Sequence, residues 1–117
     1  MGHIYVRVVL ENPITGQKHE DEALVDTGAT LTIIPRKIAD KLNLKPYGER
    51  KVKTACKEQI LKETFAKITI NDKVTVSPIL ISNKIDQILI GVITLEALGL
   101  KVDPTTSELK ETEILLL

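Results

Sequence analysis

Turn signals break this chain into pieces too short for long helices. The apolar stretches IYVRVVL (4–10), LTII (31–34), VTVSPILI (74–81) and ILIG (88–91) are brief and rich in β-branched residues. Such runs, bounded by Gly, Pro, Asn and Asp, read as strands. NPITGQK (12–18) puts Pro and Gly in turn positions, so IYVRVVL and HEDEALV (19–25) should pair as a hairpin. KVKTACKEQILKETFAKITI (51–70) holds two β-like stretches around a polar centre, ACKE. NDK (71–73) is a tight turn that returns the chain into VTVSPILI. Pro78 cannot donate to a ladder, so it belongs at a sheet edge or a bulge.

Two segments change period. In PRKIADKLNL (35–44), Pro35 suits the first helical position, and Ile38 and Leu42 share a face at i, i+4. VITLEAL (92–98) reads as a second short helix, stopped by Gly99. LKVDPTTSELK then forms a hairpin around Asp103-Pro104, and EILLL is a final apolar strand. The expected fold class is mostly β, with short strands and two short helices.

The 117 residues make one domain, 1–117, with too little chain for two cores. With no Trp, one Phe and two Tyr, that core must be built from Ile, Leu and Val. Lys plus Arg equals Asp plus Glu at 16 each, which gives no electrostatic case for nucleic acid. The charges of 49–67 read as solvated strand faces, and His3 and His19 as surface residues. The two histidines lie far apart without ligand partners, so no metal is expected. No apolar run reaches membrane-spanning length, and MGHIYVRVVLEN lacks a signal peptide's apolar core. A single cysteine, Cys56, excludes an intrachain disulfide. These features point to a cytoplasmic protein with no membrane partner.

The chemistry gathers at ALVDTGAT (23–30). An apolar strand ends on a carboxylate, Asp26, followed by Thr27, Gly28 and the small Ala29. One reading is local: Asp-Thr-Gly is a common turn in which the acid caps its own backbone. Against it, an unpaired acid at the end of a buried strand is costly. A second apolar-apolar-glycine element, Leu89-Ile90-Gly91, also opens the second helix.

The pair Asp26-Thr27-Gly28-Ala29 and Leu89-Ile90-Gly91, in that order, resembles the retroviral-type (retropepsin-like) aspartic proteases. The stretch LIGVITLEALGLKVDP is similar to their small prokaryotic and archaeal relatives more than to the viral enzymes. The resemblance implies a closed acid-protease-like barrel with half a site per chain and no cofactor. It implies a homodimer acting on extended polypeptide, and the chemistry agrees. Such catalysis uses two carboxylates sharing one proton, and this chain offers one Asp-Thr-Gly motif.

By position, Asp26 would be catalytic, and Thr27, Gly28 and Ala29 would support its loop. Gly28, Ala29, Thr30, Thr54, Ala55, Cys56, Leu89, Ile90 and Gly91 would form the substrate-binding set. Within it, Leu89 and Ile90 would pack behind the loop, with Gly91 allowing close approach. Thr27 and Ile114, Leu115, Leu116 and Leu117 would make the dimer interface. Apolar residues such as Leu31, Ile33 and Leu89 would favour apolar substrate side chains.

Two departures stand out. Residues 51–61 match the flap of the viral enzymes, but the tip Ala55-Cys56-Lys57-Glu58 has no glycine. Cys56 is then either an incidental thiol or a link between two flap tips. The acid and arginine that pair in the viral enzymes are Thr30 and Val92 here, absent together, so no charge is stranded. Three readings stay open: an endopeptidase, a catalytically weak or inactive peptide-binding or dimerisation module, and an unrelated β-domain with a capped turn.

Overall fold

The computed structural model describes residues 3–113 and Leu116. The first hairpin joins β1 (Ile4–Glu11) to β2 (Lys18–Val25), in register from Ile4↔Val25 to Glu11↔Lys18. Asn12 builds its turn. The Asn12 side-chain oxygen accepts from the N–H groups of Ile14 and Thr15 at 2.9 and 3.3 Å. Gly16 takes the left-handed conformation there (φ 80°) that a side chain would disfavour. The Asn12 amide also donates to the Leu42 carbonyl at 2.9 Å, tying the turn to the first helix.

The remaining strands are β3 (Thr32–Pro35), β4 (Gly48–Lys53), β5 (Glu58–Ile70), β6 (Lys73–Ser82) and β7 (Ile88–Ile90). They complete a seven-stranded sheet in the order β1-β2-β7-β3-β6-β5-β4. β5 is long enough to pair with β4 near its start and with β1 near its end, at Val9↔Thr69 to Glu11↔Lys67. That last pairing closes the sheet into a barrel, and β4 projects beyond it. β6 meets β3 only over Thr32↔Ile79 to Pro35↔Ser82. Pro78 therefore lies just where one side of β6 has no strand partner, as its missing N–H requires.

Two helices cover the barrel: α1 (Arg36–Lys41) and α2 (Val92–Leu98). Pro35, expected as the first helical residue, is the N-cap instead, with ψ 144°. It still ends β3, so its extended backbone serves the strand. Gly99 stops α2 in the left-handed conformation (φ 73°), as its position suggests. A separate hairpin, β8 (Leu100–Asp103) with β9 (Glu108–Glu111), follows. Its Val102 and Leu109 pack against the main core.

That core is aliphatic. Val8, Leu10, Ala23, Ile34, Ile68, Ile79, Ile88 and Ile90 alternate inward along their strands and are fully or almost fully buried. Burying each Val, Leu or Ile side chain there contributes roughly 1.5–3 kcal/mol relative to exposure, which lets the barrel hold without Trp. A smaller cluster of Leu31, Leu61 and Leu80, with Ile33 and Val52, lies apart from it. Among the described residues no helix is long and apolar enough to cross a membrane. Of the expected C-terminal strand, Ile114, Leu115 and Leu117 lie outside the described residues. Leu116 is 91% exposed.

Candidate active site

The parallel pairing of β2 with β7 ends at Val25↔Ile90. One further hydrogen bond, from the Asp26 N–H to the Ile90 carbonyl at 2.9 Å, fixes the acid's backbone at the strand tip. The chain then turns, with the Ala29 N–H donating back to the Asp26 carbonyl at 3.1 Å. The Gly28 N–H donates to Asp26 Oδ1 at 3.0 Å, the geometry of an Asx turn. The acid thus does cap its own turn, and this orients the carboxylate rather than consuming it. Among the described residues Oδ2 has no hydrogen bond, and the side chain is half-buried. A Cβ on residue 28 would stand 3.3 Å from Oδ1, so glycine keeps the carboxylate uncrowded.

The second motif is a wedge under this loop. At Gly91 a Cβ would meet the Leu31 carbonyl carbon at 2.5 Å and the Ala29 oxygen at 2.9 Å. Only hydrogen fits. The contact lets the first residues of α2 donate into the loop: Val92 N–H to the Ala29 carbonyl at 2.9 Å and Ile93 N–H to the Thr30 carbonyl at 3.0 Å. The segments that carry Thr30 and Val92 are thus neighbours, joined here by these two backbone bonds without any charge.

Beneath the wedge runs a row of buried hydroxyls that was not foreseen from the sequence. The Gly91 N–H donates to Thr32 Oγ1 at 3.0 Å. Thr32 and Thr94 hydroxyls are 2.6 Å apart, Thr94 and Ser77 3.0 Å, and Ser77 donates to the Pro78 carbonyl at 3.0 Å. Because a carbonyl can only accept, every direction is set. Thr94 must donate to Ser77, and Thr32 to Thr94. The chain couples the Gly91 turn to β3, α2 and β6. A Thr32→Val substitution keeps the shape but leaves the buried Gly91 N–H without an acceptor. We expect a loss of about 1–3 kcal/mol in urea unfolding; unchanged stability would mean water or another group replaces Thr32.

A cleft of about 590 Å³ opens in front of the loop. Asp26, Gly28, Ala29 and Thr30 form one wall, and Leu31, Ile33, Pro78, Leu80 and Ile93 supply apolar surface. β4 residues 50–53 and Thr54 form the opposite wall. Ala55, Cys56, Leu89, Ile90 and Gly91, named with the substrate-binding set, do not line it. Ala55 and Cys56 stand exposed at the tip of the β4–β5 hairpin. Ile90 and Gly91 are buried and Leu89 half-buried behind the loop, because β7 is flanked by β2 and β3.

The hairpin tip closes without glycine for a local reason. Thr54 Oγ1 accepts from the N–H groups of Cys56 and Lys57 and donates to the Lys57 carbonyl. Among the described residues positive φ angles fall at Gly16, Asn43, Asn71, Gly99 and Ser107, none in the tip. The tip needs no left-handed residue.

Thr27 faces away from this cleft. With Asp26, His3, Ile4, Val102 and Pro104 it borders a second concavity of about 420 Å³. Asp26 therefore stands on the ridge between two hollows.

The charges on β4 and β5 are not all solvated, contrary to expectation. Glu63 is 5% exposed. Arg50 Nε donates to Glu63 Oε1 at 2.8 Å. That hydrogen bond, opposed by burial and helped by the Tyr47 hydroxyl, holds the Glu63 carboxyl below its ordinary range. Its stabilising effect is complete above the ordinary carboxylate range and fades as pH falls through the lowered value. Burial, then Glu63, pushes the Tyr47 hydroxyl up. Tyr47 also stacks on Phe65, centroids 4.7 Å apart. The Lys57 ammonium beside Lys84 pushes Lys84 below the ordinary lysine range. His3 is exposed, as expected, but His19 is half-buried and within 3.1 Å of both Asp21 and Lys41.

A closed aliphatic barrel, one Asp-Thr-Gly turn at a strand tip and an Ile-Gly wedge beneath it define an acid-protease fold with one carboxylate per chain. Comparison with known proteins bears this out. Residues 13–104 match the family described as "gag-polyprotein putative aspartyl protease". The chain belongs to that retroviral-type aspartic protease family. Solved structures share the fold. EIAV protease in complex with the inhibitor HBY-793 has a TM-score of 0.69 at 14% identity, with 98% of this chain and 94% of that one covered. Simian foamy virus (mac) protease in solution has a TM-score of 0.58 at 19% identity, covering 80% of this chain and 92% of that one. A foamy viral protease–reverse transcriptase bound to an RNA/DNA hybrid has a TM-score of 0.61 at 18% identity, covering 97% of this chain and 13% of that one. A search of curated protein sequences found no match.

Proposed function

We propose that this chain is an aspartic endopeptidase that cleaves extended polypeptides as a homodimer. The observation that carries the proposal is the place of Asp26 on a ridge, with a cleft on one side and an open hollow on the other. A second copy seated across the hollow brings its own Asp26 beside the first. Thr27, at the rim of the hollow, is an interface residue in this arrangement.

The two carboxylates then share a proton, since like charges at close range do not both ionise. The ionised one removes a proton from a water held between them, and the water oxygen bonds to the peptide carbonyl carbon. The protonated one hydrogen-bonds the carbonyl oxygen as negative charge builds there. Proton transfer to the amide nitrogen follows, and the C–N bond breaks. No metal or organic cofactor enters this chemistry. The Gly28 N–H bond holds each carboxylate in position, and the wedge at Gly91 keeps the loops from shifting. Substrate lies extended in the cleft against Val52 and Thr54, its apolar side chains on Leu31, Ile33 and Leu80. A reducing cytoplasm suits a chain with one exposed thiol.

If the site needs two chains, cleavage per chain should rise with protein concentration and track the dimer fraction from sedimentation. Adding excess Asp26→Asn chains should depress activity by forming mixed dimers with a single acid. Full activity from a monomer, insensitive to both, would defeat the dimeric mechanism.

A further inference from the structure

Resting on the protease reading, we propose that Arg50 is a specificity-determining residue that selects substrates carrying an acidic side chain in the flap-side wall of the cleft. The strand register sets its direction. Arg50 pairs with Leu61 and Gly48 with Glu63, so Arg50, Val52, Leu61 and Glu63 share one face of the hairpin. Val52 and Leu61 belong to the apolar cluster under the cleft, so that face is the inner one. Arg50 is thus an inward-facing cation on a wall otherwise built from Val52 and Thr54.

Its guanidinium is held by one edge only. Nε–H donates to Glu63, and among the described residues no other hydrogen bond engages the group. Glu63's side chain is 7% exposed, whereas that of Arg50 is 57% exposed. The counter-charge is therefore sealed beneath, and the terminal amino groups remain free toward the cleft. A guanidinium pinned at Nε presents a fixed fork that matches a carboxylate in two parallel hydrogen bonds. Pre-orientation by Glu63 also reduces the entropy lost on binding.

Lys51 and Lys53 also border the cleft, but the same alternation turns their side chains to the outer face of β4, so Arg50 is the cation that faces inward. Among the described residues Asp26 is the only acid on the cleft lining. An acidic side chain entering beside Arg50 meets its guanidinium, whereas a basic one is repelled by it. The apolar floor still selects apolar residues next to the scissile bond, so the preferred sequence is apolar at the centre with Glu or Asp to one side.

The test uses a series of apolar peptides in which Glu or its isostere Gln is placed at each position around the scissile bond. The readout is the Glu/Gln ratio of kcat/KM. For the wild type we expect a ratio of roughly ten at one position, the worth of a charge-assisted contact in a partly dry cleft. Arg50→Gln, whose amide can still donate to Glu63, should bring that ratio near one. Arg50→Lys, which keeps charge without the fork, should fall between, and it serves if Arg50→Gln folds poorly. A ratio near one throughout in the wild type, or one that survives Arg50→Gln, would overturn the proposal. If no peptide is cleaved, the protease reading fails separately. Anisotropy binding of the Glu and Gln peptides to the folded chain then still decides, equal binding counting against Arg50.

Discussion

Asp26→Asn should abolish peptide cleavage while leaving the fold in place. The amide can neither take a proton from water nor share one with a partner carboxylate, so the proposed dimer would lose both halves of its acid–base pair at once. General acid–base catalysis contributes about 10²–10⁴-fold per group, and with both copies altered we expect the upper end or more. The fold should survive because Asn keeps the one side-chain hydrogen bond that Asp26 makes among the described residues. Its amide oxygen can accept from the Gly28 N–H as Oδ1 does. The backbone bond to Ile90 does not depend on the side chain. The measurement is cleavage of an unfolded protein, wild type beside the variant, from acidic to neutral pH. It is repeated with a transition-state-mimicking inhibitor of aspartic proteases. Circular dichroism and sedimentation report fold and assembly. Cleavage that persists in a folded Asp26→Asn dimer would remove Asp26 from the chemistry. A folded wild-type dimer that cleaves nothing would recast the chain as a peptide-binding module.

Local order was readable wherever one residue type has one physical use. Pro13 and Gly16 mark the first turn, Gly99 ends α2, and Pro78 falls where one side of β6 lacks a partner. Asp26-Thr27-Gly28 and Leu89-Ile90-Gly91 were readable as a pair through their resemblance to the retroviral-type proteases, with the cost of an unpaired acid at the end of a buried strand as the physical hint. The order of strands was not. That β7 lies between β2 and β3, parallel to one and antiparallel to the other, is a non-local pairing that no period of two encodes.

Buried polar groups were the other blind spot. Thr32, Ser77 and Thr94 sit in apolar runs, where a hydroxyl looks incidental, yet all three are almost fully buried and bonded to one another. Their signal was only that each interrupts an otherwise aliphatic segment. Glu63 was hidden by its company. Among the lysines and glutamates of β4 and β5, nothing local marks it as the carboxylate that turns inward to hold Arg50. The cleft residues followed the same logic. Leu89 and Ile90 are near Asp26 in space, but the sheet puts them behind its loop, where they brace it.

That brace is the basis of the second large effect. Gly91→Ala should destabilise the protein by about 3 kcal/mol or more, beyond the usual range for a surface change. The added methyl would stand 2.5 Å from the Leu31 carbonyl carbon, 2.7 Å from its oxygen and 2.9 Å from the Ala29 oxygen. All three are backbone atoms, so no rotamer change relieves the contact. Either β7 and α2 move away or the 29–31 segment does. Both routes stretch the bonds from Val92 and Ile93 into the loop and from Gly91 to Thr32. The same shift moves Asp26, which is anchored to Ile90. A displacement near 1 Å can lower turnover about 10²-fold, so kcat should fall even in the fraction that folds. Gly48→Ala is the control, since nothing lies within 4 Å of its Cβ position. Urea unfolding of the two variants beside wild type separates the outcomes. If Gly91→Ala unfolds with Gly48→Ala, the wedge is softer than its contacts imply. If Gly91→Ala alone is weakened, the second motif acts by closeness of approach, and its glycine serves the Asp26 loop from behind.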